Sequence, residues 1–495
     1  MAKRKRQQVS VAETTVAFEE TQTKKSKPAP APTEQTTKTN GRSSAALQAE
    51  TLQIIAGSYD QVLHGMTASF HSSPECQFSD TFLFNAHSSA IRCVAVSPVS
   101  APIPGQAQKV LLATGSTDER IHVYSLSAHP PPRDDERSRA QLAAVASRPI
   151  RENPKNREVG TLLHHASTVT ALRFPTRGKL LSSSDDSTMA VTRTRDWSVL
   201  STVKAPIPKA HGRPSGDTAP FGGAPSGVND FAIHPSMKVM ISVSRGERCM
   251  RLWNLVTGKK AGVLSFTRDM LVQAGEGKHA SGEGRRVVWG SADGADEFAV
   301  TFDRDVIVFG MDSVPKCRVM PFKSKLHQIA YLSIGGAGQA EEEESVMAVS
   351  TEDGRVLFFS TKTDDLERLE EEDGEGDKMP LARLVGQLGG RDAGVTSRVK
   401  DFVVLRSGLN AGVLYVVTAS SDGKVRVWTV MDEELRSGGG KSVGALAGVY
   451  ETNNRITCLA AFVMVPRPDG AEDSEEEDVD EDKEEASDDS EDESD

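Results

Sequence analysis

Six times between residues 118 and 428, a carboxylate in a short polar turn stands six residues ahead of one recurrent position. The pairs are Asp118 and Tyr124, Asp186 and Thr192, Glu247 and Trp253, Asp303 and Phe309, Asp353 and Phe359, and Asp422 and Trp428. Self-similarity of this kind marks a repeat architecture, and it constrains the fold before composition is consulted. In the two clearest copies, residues 111–124 and 415–428, the turn joins two apolar runs that alternate at period two, as at Ile121 and Val123 or Val425 and Val427. That period places alternate side chains on opposite faces of a strand. A further alternating strand precedes each turn unit, at 90–96, 169–174, 228–233, 286–289, 328–332 and 399–404.

Two apolar pieces remain, 52–70 near the start and 455–465 near the end, each too short for a four-stranded sheet of its own. Joined, they complete a seventh unit, and a ring closed by both ends of the chain leaves no open sheet edge. The expected fold is all-β, a seven-bladed β-propeller closed by N- and C-terminal strands. Polar stretches near 128–157, 205–226, 268–285, 335–345 and 361–380 are expected to be loops inserted between structured pieces, which lengthens the spacing of the repeats. Residues 1–47 are rich in Lys, Thr, Gln and Pro and poor in large apolar groups, and residues 467–495 are dominated by Asp and Glu. Neither buries enough surface to offset the entropy of ordering, so the expected organisation is a disordered basic tail at 1–47, a propeller at 48–466 and a disordered acidic tail at 467–495.

The net charge of −12 misrepresents the folded part. Residues 471–495 hold 17 carboxylates against one lysine, and without them the remainder is close to neutral, at about +4. No global field announces a nucleic-acid binder. The longest apolar run, 456–465, is about half of what a membrane-spanning helix needs. The opening residues are polar and lack the apolar core of a secretory signal, and the five cysteines are scattered without a CxxC pair. Those features predict an intracellular protein in a reducing compartment, with no zinc site and no membrane contact.

Several stretches resemble one family. They are 56–63 (AGSYDQVL), 114–119 (TGSTDE), 160–165 (GTLLHH), 234–236 (HPS), 252–258 (LWNLVTG), 419–423 (ASSDG) and 452–459 (TNNRITCL). In this order along 50–465 they are similar to the WD40-repeat family of maintenance-of-killer and p21-activated-kinase-interacting proteins, and the first and last are its most specific signals. The resemblance implies a nucleolar, non-catalytic scaffold in biogenesis of the large (60S) ribosomal subunit and rRNA maturation, whose partners are the pre-60S particle and nucleolar assembly factors. The alternative it implies is regulation of p21-activated kinase and small-GTPase signalling by protein binding. RNA is expected to be met only indirectly, with no small-molecule substrate. The chain departs from the pattern at Thr192, in its long loops, and in an acidic tail where some relatives carry a basic one.

No residue set is expected to be catalytic, cofactor-binding or metal-binding. Asp118, Asp186, Asp353 and Asp422 occupy the same turn of different units and are expected to cap backbone N–H groups there. Tyr124, Trp253, Phe309, Phe359 and Trp428 are expected to be the structural aromatics of their blades. His87, His165 and His211 stand where this repeat type places a histidine that bonds to the turn Asp, with Ser116 an expected intermediary for the first. The glycines at 335–338 and 438–440 have no phosphate-loop continuation, and Asp353-Gly354 and Asp422-Gly423 are hairpin turns, not calcium loops. Lys3, Arg4, Lys5 and Arg6, with a second cluster at 24–27, are expected to direct nuclear import. Ser474, Ser487, Ser490 and Ser494 stand among acidic residues in the context that acidophilic kinases modify.

Overall fold

The computed structural model describes residues 50–466 except 72, 105, 132–149, 209–225, 278–279, 321, 323, 336–343 and 369–377. Lys3, Arg4, Lys5, Arg6, the basic cluster at 24–27, His211, Ser474, Ser487, Ser490 and Ser494 lie outside the described residues.

Seven antiparallel sheets form the blades. Numbered by their innermost strands, these begin at Ile91–Val96, Val169–Thr176, Val228–Ile233, Arg286–Ala292, Leu326–Ile334, Val399–Arg406 and Ile456–Val463. Each innermost strand touches the next, and the seventh touches both the sixth and the first, so the ring is closed. A short strand, Lys441–Ser442, adds in parallel to the outer edge of blade 5.

The core is divided in the same way. Seven clusters of buried apolar side chains lie one at each junction between neighbouring blades. Period-two alternation explains how one strand serves two junctions. In blade 5, Ala348 and Phe358 face blade 6, whereas Met347, Val349, Leu357 and Phe359 face blade 4. The repeat aromatics all point to the preceding blade: Tyr124 packs against blade 7, Trp253 against blade 2, Phe309 against blade 3, Phe359 against blade 4 and Trp428 against blade 5. In blade 2 that position is Thr192, fully buried, its hydroxyl without a hydrogen-bond partner.

Blade 7 joins the two ends of the described chain. The C-terminal strand Ile456–Val463 pairs antiparallel with Glu50–Ser58, with Ala56 opposite Leu459 and Gly57 opposite Cys458. A Cβ on Gly57 would stand 2.6 Å from the Cys458 sulfur and 2.8 Å from Ile91, so only glycine fits this seam. Residues 56–63 and 452–459, the stretches most specific to the family, therefore face each other. The piece at 52–70 is two strands, Glu50–Ser58 and Val62–Phe70, and the sheet is finished by Cys76–Asn85, which periodicity did not reveal. The stretch expected to be a loop at 268–285 contains a helix, Arg268–Gln273. Thr267 caps it by accepting from the Met270 N–H, and Leu271 is buried at the junction of blades 3 and 4, which stabilises a segment too short to persist alone.

Candidate docking face at the channel mouth

The turns between second and third strands define one face of the ring, and the chain ties each turn to its own blade. Asp118 accepts hydrogen bonds from His87 Nδ1 at 3.0 Å, the Ser88 N–H at 3.1 Å and the Arg120 N–H at 3.2 Å. The other ring nitrogen of His87 meets Thr114 Oγ1 at 2.8 Å. Thr114, not Ser116, is therefore the intermediary. Ser116 Oγ instead donates to the Ala90 carbonyl and accepts from the Asp118 N–H; the two hydroxyls share one face of the strand, and it is Thr114's place one step further from the turn that sets it against the histidine. Asp186 repeats the arrangement with His165 Nδ1 at 3.3 Å, the Ala166 N–H at 2.9 Å and the Thr188 N–H at 2.8 Å, and His165 Nε2 meets Ser182 Oγ at 2.8 Å.

Blades 5 and 6 substitute arginine for histidine. Asp422 pairs with Arg426 at 3.1 Å and accepts from the Lys424 N–H, and Asp353 accepts from Arg355 Nε at 2.8 Å. Gly423 and Gly354 follow these carboxylates at φ +79° and +87°, and a Cβ at either would lie 2.7 Å from a backbone carbonyl oxygen. Trp253 and Trp428 direct their indole N–H groups to Ser242 and Thr418 on the neighbouring strand, at 2.8 and 3.2 Å.

These groups carry electrostatic strain of opposite signs. Burial alone would raise the Asp118 carboxyl, but the His87 charge and the N–H groups of Ser88 and Arg120 outweigh it and hold it below the usual value. For His87 burial outweighs the attraction of Asp118 and pushes the ring below its ordinary value. Ligand atoms of His87, Asp118 and His122 come within 4.8 Å of one another. Both nitrogens of His87 and Nδ1 of His122 are already engaged, the last with Thr161 Oγ1 at 2.9 Å, so the cluster is a hydrogen-bond network. Replacing Asp118 with Ala leaves three donors facing nothing. The expected loss is about 1–3 kcal/mol in equilibrium denaturation, with Asn intermediate; an unchanged midpoint for the Ala variant would rule out a stabilising role for this turn.

The four turn carboxylates stand on four different blades, and the structure does not bring them together. What it does bring together is the start of the inner strands. The turn N–H of Thr117, Asp185, Arg245, Glu352, Ser421 and Tyr59 donates to the carbonyl of Ala90, Thr168, Gly227, Lys325, Arg398 and Arg455 respectively, at 2.8–3.1 Å. This bond holds the residue just before each inner strand at the rim of the channel, on the turn face. All seven inner strands line a cavity of about 640 Å³, which Arg92, Arg173, Arg286, Gln328 and Asp401 enter.

Side-chain links between adjacent inner strands brace this cavity. Thr457 donates to the Ile91 carbonyl at 2.6 Å and Thr170 to that of Val228 at 2.6 Å, while Asp230 and Asp401 accept from the N–H groups of Val287 and Leu459 at 3.3 and 2.8 Å. Asp401 is pushed up by burial, against the pull of the Leu459 N–H and of Arg286. His327, near the rim, is pushed down to about 4 by burial and then by Lys400, Arg398, Lys325 and Arg286. Sequence reasoning missed this cationic rim because its members are separated by up to several hundred residues.

A ring of seven antiparallel blades, four of them with His–Asp or Arg–Asp turns, is a seven-bladed β-propeller with repeats of the WD40 kind. The family model described as WD domain, G-beta repeat matches residues 77–125 and 156–191. The chain is homologous to Protein MAK11 of Saccharomyces cerevisiae, 26% identical over 434 residues that cover 82% of each chain. It is likewise homologous to the p21-activated protein kinase-interacting protein 1-like of Gallus gallus, 22% identical over 412 residues, and that of Danio rerio, 22% over 421, each covering at least four fifths of both chains.

Proposed function

We propose that this propeller is a non-catalytic scaffold in biogenesis of the large (60S) ribosomal subunit and maturation of its rRNA, acting in the nucleolus. The observation that carries the reading is homology to MAK11 across 82% of both chains. The turn face and channel mouth are the docking surface for the pre-60S particle and nucleolar assembly factors. In this reading Lys3, Arg4, Lys5 and Arg6 supply nuclear import, and the acidic segment, with Ser474, Ser487, Ser490 and Ser494 as phosphorylation sites, screens basic neighbours. Relatives whose names record an interaction with p21-activated kinase favour a second reading, a regulator of that kinase.

Affinity purification of the tagged full chain from its own cells separates the two. Large-subunit precursors recovered together with nucleolar assembly factors are the expected result. Recovery of kinase or small-GTPase components without pre-ribosomes would replace the first reading by the second.

A further inference from the structure

The head of the channel carries more positive charge than the described residues neutralise. Lys325, Arg398 and Arg455 hold the same rim position in blades 5, 6 and 7, fixed there by the turn N–H bonds of Glu352, Ser421 and Tyr59. Two residues further along the strands, inside the mouth, come Lys400 in blade 6 and Arg92 in blade 1, while the same position in blade 5 is His327, which burial and its cationic neighbours push down to about 4. In blade 4 the series ends, because Arg285 pairs with Asp303 at 2.7 Å and Arg286 with Asp230 at 3.9 Å. Blades 2 and 3 break it with the neutral Thr170 and Asn229, and there Arg245 is neutralised by Asp185 at 3.1 Å.

The side chains of Arg92, Arg398 and Lys400 make no ion pair or hydrogen bond among the described residues, and His327 Nε2 is buried without a partner. Lys325 reaches Asp303 only at 3.8 Å, and Arg455 lies over the Tyr59 ring at 5.5 Å. Lys400 is held below its ordinary value by burial and then by Arg398, Arg455, Lys325 and Arg92, which measures how closely these cations crowd one another. Asp303, at the edge of blade 4, is already taken by Arg285 at 2.7 Å, so the cations of blades 5, 6, 7 and 1 repel one another with too little internal anion to balance them and are built for an external one.

We propose that this arc, running over blades 5, 6, 7 and 1, binds the sugar-phosphate backbone of single-stranded RNA directly. The choice of RNA as the polyanion rests on the ribosome-assembly reading above. The arrangement itself specifies an extended anion, since the cations are strung along four blades and do not converge on one point. Lys400 and His327 are recessed on inner strands, where the phosphates of one strand reach and the body of a duplex does not. The near-neutral charge of the folded part hides this site, because acidic residues elsewhere cancel in the sum what is concentrated here.

The test uses the purified full chain and a labelled oligouridylate of about twelve nucleotides, titrated by fluorescence anisotropy between about 50 and 200 mM salt. The double variant R398Q/K400Q is expected to bind at least about tenfold more weakly. Its slope of log affinity against log salt should be shallower by about 1.4, two phosphate contacts at about 0.7 each. Its unfolding midpoint should not fall, because removing mutually repelling charges costs no ion pair. K259E/K260E, on the exposed outer strand of blade 3, is expected to bind as the parent does, and alanines at Lys3, Arg4, Lys5 and Arg6 should leave the effect of R398Q/K400Q in place.

Undiminished binding by R398Q/K400Q, an equal loss in K259E/K260E, or tighter binding of a glutamate peptide of matching charge overturns the proposal. A chain that purifies with pre-ribosomes yet ignores the oligonucleotide refutes this inference alone. One that binds RNA through the arc but recovers no pre-ribosomes refutes the assembly reading alone.

Discussion

A chain ending at Asn454 is expected to lose cooperative unfolding altogether, whereas one ending at Pro466 should melt as the full chain does. The first truncation removes Ile456–Val463, the innermost strand of blade 7, which pairs with Glu50–Ser58 from Leu52 to Ser58. It takes away Ile456, Leu459, Ala461 and Phe462, each less than a tenth exposed, and uncovers Leu52, Ile54 and Ala56 beneath them. Burying a side chain the size of Ile, Leu or Phe contributes about 1.5–3 kcal/mol, so three of them approach the 5–15 kcal/mol by which a domain is ordinarily stable. The loss is larger than that sum, because both flanking junctions open, the one to blade 6 and the one to blade 1. Circular dichroism and calorimetry on the two truncations decide the matter. A sharp transition at the parent temperature for the chain ending at Asn454 would mean that the ring does not depend on its seam.

That seam was legible in the amino-acid sequence alone, and the reason is chemical. Six copies of the carboxylate spacing, five of them ending on an aromatic, left two fragments that could only complete each other, and a ring has no tolerance for an incomplete blade. The turn units were equally plain, because their second strands bury both faces and run apolar, and the inner strands were plain because they bury one face against their neighbours and alternate. The outer strands were not. Val199–Lys204 is exposed at five of six positions, and Arg157–Leu162 and Lys259–Ser265 are similarly open, so their sequences carry little hydrophobic pattern to detect.

The helix Arg268–Gln273 escaped notice because its anchor is one buried leucine in a polar stretch. Thr114 was passed over for Ser116 because sequence shows which hydroxyls are near a turn, and only the register of the strand says which one faces the histidine. The rim cations illustrate the deeper limit. Arg92, Lys325, Arg398, Lys400 and Arg455 become neighbours only when the ring closes, so no window of sequence and no net charge contains them.

Glu297 is a second place where closure of the ring concentrates stability that sequence does not advertise. It lies on the second strand of blade 4, only 2% exposed, and receives three donors. Lys316 Nζ stands 2.9 Å away in the same blade, while Tyr331 Oη at 2.7 Å and Thr361 Oγ1 at 2.5 Å come from blade 5. The Tyr331 ring lies flat on Gly290, where a Cβ would come within 2.4 Å of it, so the hydroxyl has no room to turn toward another acceptor. The Tyr331 hydroxyl is kept in its protonated form by burial and then by the Glu297 charge, which makes it a permanent donor to this carboxylate.

Removing one partner of a buried charged network costs about 3–5 kcal/mol, because the groups left behind stay desolvated and unpaired. E297A is therefore expected to destabilise by about that amount. E297Q keeps an acceptor for both hydroxyls and leaves Lys316 with Asp293 at 3.6 Å, so its loss should be well under half as large. Y331F removes a single donor and should cost about 1 kcal/mol. Equilibrium urea denaturation of the three variants reads the order directly. If E297A and E297Q fell by the same amount, charge rather than hydrogen bonding would be what joins blade 4 to blade 5 here, and if neither fell by as much as about 1 kcal/mol the junction would be held by its apolar cluster alone.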